Sequence, residues 1–343
     1  MPEGLPLVSV ITPVHDLIDK EKADQFNLLV SLLNLQIYPN FEHIVIDNAS
    51  KDDTVQLLMD YKSKGYLQFY SEPDMGIFDA YNKGIMRAKG KYVTFLNCDD
   101  FIHQITSLAE IVGILEDNNA DYTYGISNAI HPEGYVFEFV PAMYNIFQVM
   151  PCPLQAMVFK RSILVSEGFF DPKLKLAADY DLIMRVFMKE YGGILYDKNY
   201  VTYRLSNKPF TMPERVEAEY RQVYIKNFRN IYPLTNDIVD KMVHLSEFPQ
   251  DLLDKLSEYF LEENRDDFFA ACERMHKMRE QAVNGVTETE EEVTDNLELE
   301  NQEAEIEESI SNTNNPSQES TMQGNSSQHH TPPHHTPPPG FNR

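Results

Sequence analysis

The sequence predicts an α/β fold built on one mainly parallel, helix-covered sheet. Over the first hundred residues, short runs rich in β-branched and aromatic side chains alternate four times with segments of helical periodicity. After Asp100 this rhythm gives way to mixed helical and extended stretches, so the sheet is expected to become mixed there. Several apolar runs also end abruptly in carboxylates, which is where ligands sit in open α/β sheets.

The elements follow in order. Residues 7–12 read as a strand closed by Pro13, and 23–36 as a helix with Phe26, Leu29, Val30, Leu32 and Leu33 on one broad face. Residues 41–46 form the second strand, running into Asp47, and 54–61 the helix after it. A third strand at 67–70 leads through the Pro- and Gly-containing turn 71–76 into a helix over 77–88 that stops near Gly90. Val93, Thr94, Phe95 and Leu96 are a buried central strand that ends in Asn97-Cys98-Asp99-Asp100. Beyond it come a helix at 105–116, a strand near 121–124, extended chain at 135–140, a buried strand at 155–160 and a tight loop at 168–172. Ala177-Ala178-Asp179 then opens a helix with Leu182, Ile183, Val186 and Phe187 on its apolar face.

From Pro213 the pattern is all helical, at 215–231, 238–245, 252–261 and 268–278. The chain is therefore divided into a sheet domain at 1–210, a helical accessory subdomain at 211–283 and a tail at 284–343. The Tyr220, Tyr224 and Phe228 stripe is read as core packing, with docking of a partner subunit or a peripheral membrane association as the alternative use of the helical face. In the tail, composition collapses to Glu, Thr, Asn, Ser and Gln and ends in a His- and Pro-rich run, a segment expected to stay disordered.

Composition excludes several classes. No stretch approaches the roughly 18 to 20 apolar residues needed to span a bilayer, and Met1-Pro2-Glu3-Gly4 lacks the basic and apolar regions of a signal peptide. The expectation is a cytoplasmic protein, with the inner face of the cytoplasmic membrane as an alternative place of work. Cys98, Cys152 and Cys272 are too few and too widely spaced for a disulfide framework or a zinc site, and are expected to be free thiols. From Asn284 onward 12 acidic residues meet one basic residue, so of the net charge of −25 the body carries −14. That balance argues against a nucleic-acid surface, which needs a basic stripe.

The carboxylates at strand and helix ends carry the chemistry. Asp99 and Asp100 are adjacent, repel each other unless a cation or donor network intervenes, and suit a hard divalent ion such as Mg2+ or Mn2+. The plainer reading is a helix start, since Asp is a good N-cap. Asp47, the Asp74/Asp79 turn and Asp179 occupy comparable positions, and Asp179 has the same capping alternative. Together they would suit a nucleoside diphosphate sugar. One carboxylate would accept from base or ribose, a metal on the paired Asp would neutralise the diphosphate, and another would take a proton from an attacking hydroxyl.

The motifs Val8-Ser9-Val10-Ile11-Thr12-Pro13, Ile44-Val45-Ile46-Asp47 with its continuation to Thr54, Glu72-Pro73-Asp74-Met75-Gly76-Ile77-Phe78-Asp79-Ala80-Tyr81-Asn82-Lys83-Gly84, Leu96-Asn97-Cys98-Asp99-Asp100 and Ala178-Asp179-Tyr180-Asp181-Leu182 together resemble the family 2 glycosyltransferases of GT-A fold, in the family's order across residues 5–206. The resemblance implies a GT-A fold, a single Rossmann-like, mixed, mainly parallel sheet flanked by helices. It implies inverting transfer from a nucleotide sugar, often UDP-linked, to a glycan or lipid-linked acceptor, as in bacterial surface polysaccharide and glycolipid synthesis. Carried over by residue, Thr12, Pro13 and Asp47 would line the nucleoside pocket, and Asp74, Asp79, Asn82 and Lys83 would border the donor. Asp99 and Asp100 would meet the ribose or sugar and the Mn2+ or Mg2+ ion. Asp179 would be the general base, with Asp181 a structural neighbour.

The chain departs from the family pattern at three places. Asn97 stands where the Asp-x-Asp pattern begins, Val14-His15-Asp16 follows Pro13 in place of an aromatic and an Asn, and Leu154-Gln155 replaces His-Gln. Two other classes compete with this reading. A sugar nucleotidyltransferase would need a glycine-rich loop after the first strand, which Thr12-Pro13-Val14-His15-Asp16 lacks. A non-catalytic carbohydrate- or protein-binding module on the same scaffold would not need carboxylates at all four places.

Overall fold

The computed structural model describes residues 4–205 and 212–284. One compact unit runs to His276; the chain from Lys277 belongs to a second unit, of which residues 277–284 are described and are helical. The tail expected to be disordered lies outside the described residues.

The element order is β1 Val8–Val14, α1 Ala23–Asn34, β2 Phe41–Asp47, α2 Thr54–Ser63, β3 Gln68–Ser71, α3 Ile77–Arg87, β4 Tyr92–Phe95, β5 Phe101–Ile102, α4 Ser107–Asp117, β6 Tyr122–Ile130, β7 Val136–Phe139, β8 Met157–Lys160, α5 Arg161–Ser166, α6 Ala178–Met188, β9 Gly193–Arg204, α7 Pro213–Phe228, α8 Asn236–Leu245, α9 Gln250–Ser257 and α10 Arg265–Asn284. The strands form one sheet in the order β3-β2-β1-β4-β8-β6-β9-β5, with β7 paired to β6. From β3 to β4 the neighbours are parallel. β8 then runs antiparallel between β4 and β6, and the sheet is mixed from there on, as the change of rhythm predicted.

β1 lies at the centre because its sequence allows it. Val8, Val10 and Ile11 are fully buried, as expected of a parallel strand covered on both faces. α3 packs directly on it: a Cβ at Gly84 would overlap the Ile11 side chain, so only glycine lets the helix approach this closely. That approach sets Asp79 and Tyr81 beside the strand ends. On the opposite side a smaller core of Phe26, Val30, Val45 and Leu58 lies beneath α1 and α2.

One strand differs from the sequence expectation. The sequence does not predict the twelve-residue β9, because Asp197-Lys198-Asn199 interrupts its apolar run. In the sheet Tyr196 pairs Gly125 and Asn199 pairs Ile126, so Asp197 and Lys198 are skipped as a bulge and the strand continues. The helices from Pro213 through residue 276 pack on the same hydrophobic core as the sheet. Phe147 joins them to it: its ring lies 5.7 Å from Phe187, 5.8 Å from Phe228 and 6.0 Å from Phe268. Tyr224 and Phe228 are buried in that core, as the stripe predicted. All three cysteines are free and buried. Among the described residues no helix is long and apolar enough to cross a membrane.

Candidate active site

The ends of β1, β2, β3 and β4 and the start of α6 carry the predicted carboxylates, and hydrogen bonds fix most of them tightly. Asp47, at the end of β2, is fully buried. It accepts from the Ser50 hydroxyl and N–H and, at 2.6 Å, from the Ser71 hydroxyl of β3. Ser50 Oγ in turn accepts the Asp16 N–H at 2.8 Å, so the Asp47 carboxylate braces three loops. Thr12 is buried and its hydroxyl meets His43 Nε2 at 3.0 Å; burial pushes that imidazole down to about 3, so it is neutral. Pro13 follows at the half-buried end of β1.

The turn after β3 is held by its own acids. Asp74 accepts the Gly76 N–H at 2.8 Å, where Gly76 adopts a φ of 122° that favours glycine. Asp79 accepts the Met75 N–H at 3.0 Å and pairs with Lys83 at 3.1 Å. Burial opposes the charge of Asp79, but the Met75 N–H and Lys83 hold its carboxyl below the usual range; Asp74 is raised, chiefly by burial. Asn82 exchanges both amide atoms with the backbone of Phe170, each at 2.9 Å, and so clamps α3 to the loop before α6.

At the end of β4 the two acids are not equivalent. Asp99 Oδ2 receives Lys22 Nζ at 2.8 Å. Asp100 is 1 % exposed; its Oδ2 accepts the Asn97 N–H at 2.6 Å, while its Oδ1 is buried without a hydrogen-bond partner of normal geometry. Burial pushes the Asp100 carboxyl up to about 8; the Asn97 N–H and, more weakly, the Arg204 backbone N–H counter this, and Asp99 adds to it. Among the described residues no three His, Cys, Asp or Glu side chains converge as a ligand set. A hard ion bound chiefly by a substrate diphosphate needs only one or two protein carboxylates. The orphaned Asp100 oxygen, beside Asp99, fits that requirement.

A cavity of about 650 Å3 opens next to these strand ends. Asp79, Asn97, Gln155 and Asp179 reach its wall, together with Tyr81, Tyr203 and Tyr220 and the cations Lys175, Arg204 and Arg215. Asn97, at the first position of the Asp-x-Asp pattern, therefore faces the cavity, whereas Asp99 and Asp100 do not line it. Tyr81 ties the parts together: its buried hydroxyl bonds Asn97 Oδ1 at 2.9 Å. Burial raises its pKa well above normal, and the negative charges of Asp100 and Asp179 add to the shift.

Asp179 sits in the first turn of α6, with Oδ1 accepting the Tyr180 N–H at 2.9 Å. Burial raises its carboxyl to about 6, the Tyr180 N–H and its own N–H oppose this, and the charge of Glu219 contributes. A carboxylate poised near neutral pH on the wall of a cavity has the properties of a general base. Asp181, two residues on, is different: it is fully buried and bonded to Arg185 at 2.9 Å, Lys226 at 2.9 Å and Asn227 at 3.2 Å. It joins α6 to α7. Nothing local in the sequence marks Lys22 or Glu219, each of which lies in a charged stretch.

Residues 9–167 match the sequence model of Glycosyl transferase family 2. An uncharacterized glycosyltransferase of Rickettsia bellii is 29 % identical over 216 residues, covering 61 % of this chain and 30 % of that protein. A PGL/p-HBAD biosynthesis glycosyltransferase of Mycobacterium bovis is 22 % identical over 240 residues, covering 64 % and 82 %. The chain spans about a third of the length of several curated relatives it matches, as with a Rickettsia felis protein of which 33 % is covered. Among solved structures, the mannosyltransferase PcManGT from Pyrobaculum calidifontis, in complex with GDP-Man and Mn2+, superposes with a TM-score of 0.54 at 18 % identity, covering 82 % of this chain and 86 % of that one. S. aureus TarS 1–349 in complex with UDP-GlcNAc gives 0.51 at 17 %, covering 82 % and 93 %. Residues 9–167 thus belong to glycosyl transferase family 2, and the chain is built on a GT-A fold.

Proposed function

We propose that the protein is an inverting, metal-dependent glycosyltransferase that moves a sugar from a nucleotide sugar, UDP-linked by its resemblance, to a hydroxyl of a glycan or lipid-linked acceptor. The observation that carries this reading is the placement of Asp179: a carboxyl raised to about 6, in the first turn of a helix and on the wall of a cavity. The donor class draws on the solved relatives of the same fold, which hold UDP-GlcNAc in TarS and GDP-Man in PcManGT.

In the proposed step an acceptor hydroxyl in the cavity gives its proton to the Asp179 carboxylate as its oxygen bonds the anomeric carbon from the face opposite the diphosphate. The bond from that carbon to the diphosphate oxygen breaks, and its electron pair leaves with the nucleotide. The configuration inverts because there is one displacement and no covalent intermediate. Asp79, held at its turn by Met75 and Lys83, borders the donor, and Tyr81 keeps Asn97 at the cavity wall. A divalent ion held at Asp100, with Asp99 beside it, would supply charge neutralisation to the departing diphosphate.

The direct test is a thermal-shift panel of UDP, GDP, CDP and TDP, each with and without Mn2+, followed by hydrolysis assays of the sugars of whichever nucleotide binds. Ligand at about 100 times its Kd stabilises by roughly 2.7 kcal/mol, several degrees in Tm. A Mn2+-dependent shift with UDP and slow hydrolysis of a UDP-sugar support the reading. No shift with any nucleotide and no hydrolysis would leave a binding module on this scaffold.

A further inference from the structure

We infer that Glu219, on α7, is a positioning residue for the transfer reaction: it holds the turn that leads into Asp179 and so fixes where that carboxylate sits. The inference rests on the reading of Asp179 as the base.

Glu219 is 4 % exposed, and a buried carboxylate needs a full complement of donors. It has them in one place. Its Oε2 accepts the N–H of Lys175 at 2.8 Å, of Leu176 at 2.7 Å and of Ala177 at 3.0 Å. These three successive amides belong to the residues just before Ala178 and Asp179, so a single oxygen from a distant helix pins the entry to α6. Its other oxygen faces the half-exposed Arg215 at 3.4 Å, a weak contact. The next residue on α7 adds a second link, since Tyr220 stacks on Tyr180 with ring centres 4.7 Å apart and planes at 28°. The same turn also reaches the donor side of the cavity, because Lys175 Nζ bonds the Met75 carbonyl at 2.9 Å and the Pro172 carbonyl at 2.8 Å.

An anchor for the fold alone would explain the burial of Glu219 but would not require its attachment to the turn before the base. Glu219 also acts on Asp179 through its charge, which favours the neutral form of that carboxyl. The other charged or titratable groups on the cavity wall are Asp79, Lys175, Arg204, Arg215, Tyr81, Tyr180, Tyr203 and Tyr220; of these, Arg215 is the one whose ion-pair partner Glu219→Gln removes.

The test uses the full chain with Glu219→Gln and Glu219→Ala. Three quantities are read: amide exchange at residues 175–177, kcat and KM for hydrolysis of UDP-glucose and UDP-GlcNAc, and the titration midpoint of the Asp179 carboxyl by carbon NMR. Glu219→Ala should exchange faster at those three amides and lose about 10- to 100-fold in kcat with donor KM little changed, as expected when a base is misplaced by a fraction of an ångström. Glu219→Gln keeps an acceptor oxygen and should restore most of kcat, while the Asp179 midpoint falls only slightly, because burial, its main cause, is unchanged. Fast exchange with kcat intact in Glu219→Ala would make the residue an anchor of the fold only. If Glu219→Ala does not fold, Glu219→Asp, one methylene shorter, is read in its place, and unchanged amide exchange at residues 175–177 in that variant overturns the inference. Should the unaltered chain hydrolyse neither sugar nucleotide, the transferase reading fails, and the exchange and titration measurements still decide whether Glu219 governs Asp179.

Discussion

Lys22 Nζ and Asp99 Oδ2 lie 2.8 Å apart, an ion pair that joins the loop after β1 to the loop after β4 across 77 positions of sequence. Burial works against the lysine's charge, yet Asp99 holds its pKa above the ordinary value. The pair divides the labour of the adjacent acids. Asp99 already has a cation, whereas the Oδ1 of Asp100 is buried without a hydrogen-bond partner of normal geometry. Asp100→Asn should therefore abolish a Mn2+-dependent rise in Tm with the bound nucleotide, and Asp99→Asn should keep most of it. A Mn2+ titration followed by thermal shift reads the difference. Equal loss in the two variants would mean that they share the ion.

Asp179→Asn should keep nucleotide binding and lose transfer by roughly 100- to 10,000-fold, the usual contribution of a general base. In the unaltered protein the rate should rise with pH through about 6, where the carboxyl ionises. Stability runs the other way. A carboxyl raised by burial favours the folded state fully below its unfolded pKa, and that contribution is lost as pH rises through about 6. Asp179→Asn should then be more stable than the unaltered chain at pH 8, by on the order of 1–2 kcal/mol once partial exposure is allowed for, and nearly equal at pH 4. Urea unfolding at the two pH values checks the sign.

How far the site was legible follows from these residues. Asp47, Asp79, Asp100 and Asp179 stand at the ends of strands or the start of a helix, where local pattern and position in an α/β sheet mark them. Lys22 and Glu219 act across the fold, on partners 77 and 42 or more positions away, and no local pattern encodes such contacts. Position also does not state role. Asp47 and Asn82 lie where the motif places them, yet their polar atoms bond Ser50, Ser71 and the Phe170 backbone. In the fold, the parallel half was readable because its strands are continuous apolar runs; β9 was not, because a bulge hides its continuity.

Phe147→Ala should destabilise the sheet and the C-terminal helices together. The ring is fully buried and touches residues of α6, α7 and α10, so its removal leaves a cavity where these elements meet. The expected cost is about 3–5 kcal/mol. Because the two regions share one core, circular dichroism and tyrosine fluorescence should report one shifted transition in urea. Two separated transitions in the unaltered chain would instead show that the helices unfold as a subdomain of their own.

Asp181→Asn provides the contrast that separates structure from chemistry on one helix. Asp181 is fully buried between Arg185 and Lys226, each at 2.9 Å, so neutralising it leaves two cations facing a site that no longer compensates them. Breaking such a buried pair by removing one partner typically costs about 3–5 kcal/mol, though the partial exposure of Lys226 should keep the value at the lower end. The loss should appear in unfolding experiments at pH 7 and should carry no specific defect in kcat for protein that remains folded. Asp179→Asn, two residues earlier, should show the opposite pattern: normal or raised stability with transfer abolished. If Asp181→Asn instead lost activity at unchanged Tm, the general base would have to be reassigned to Asp181.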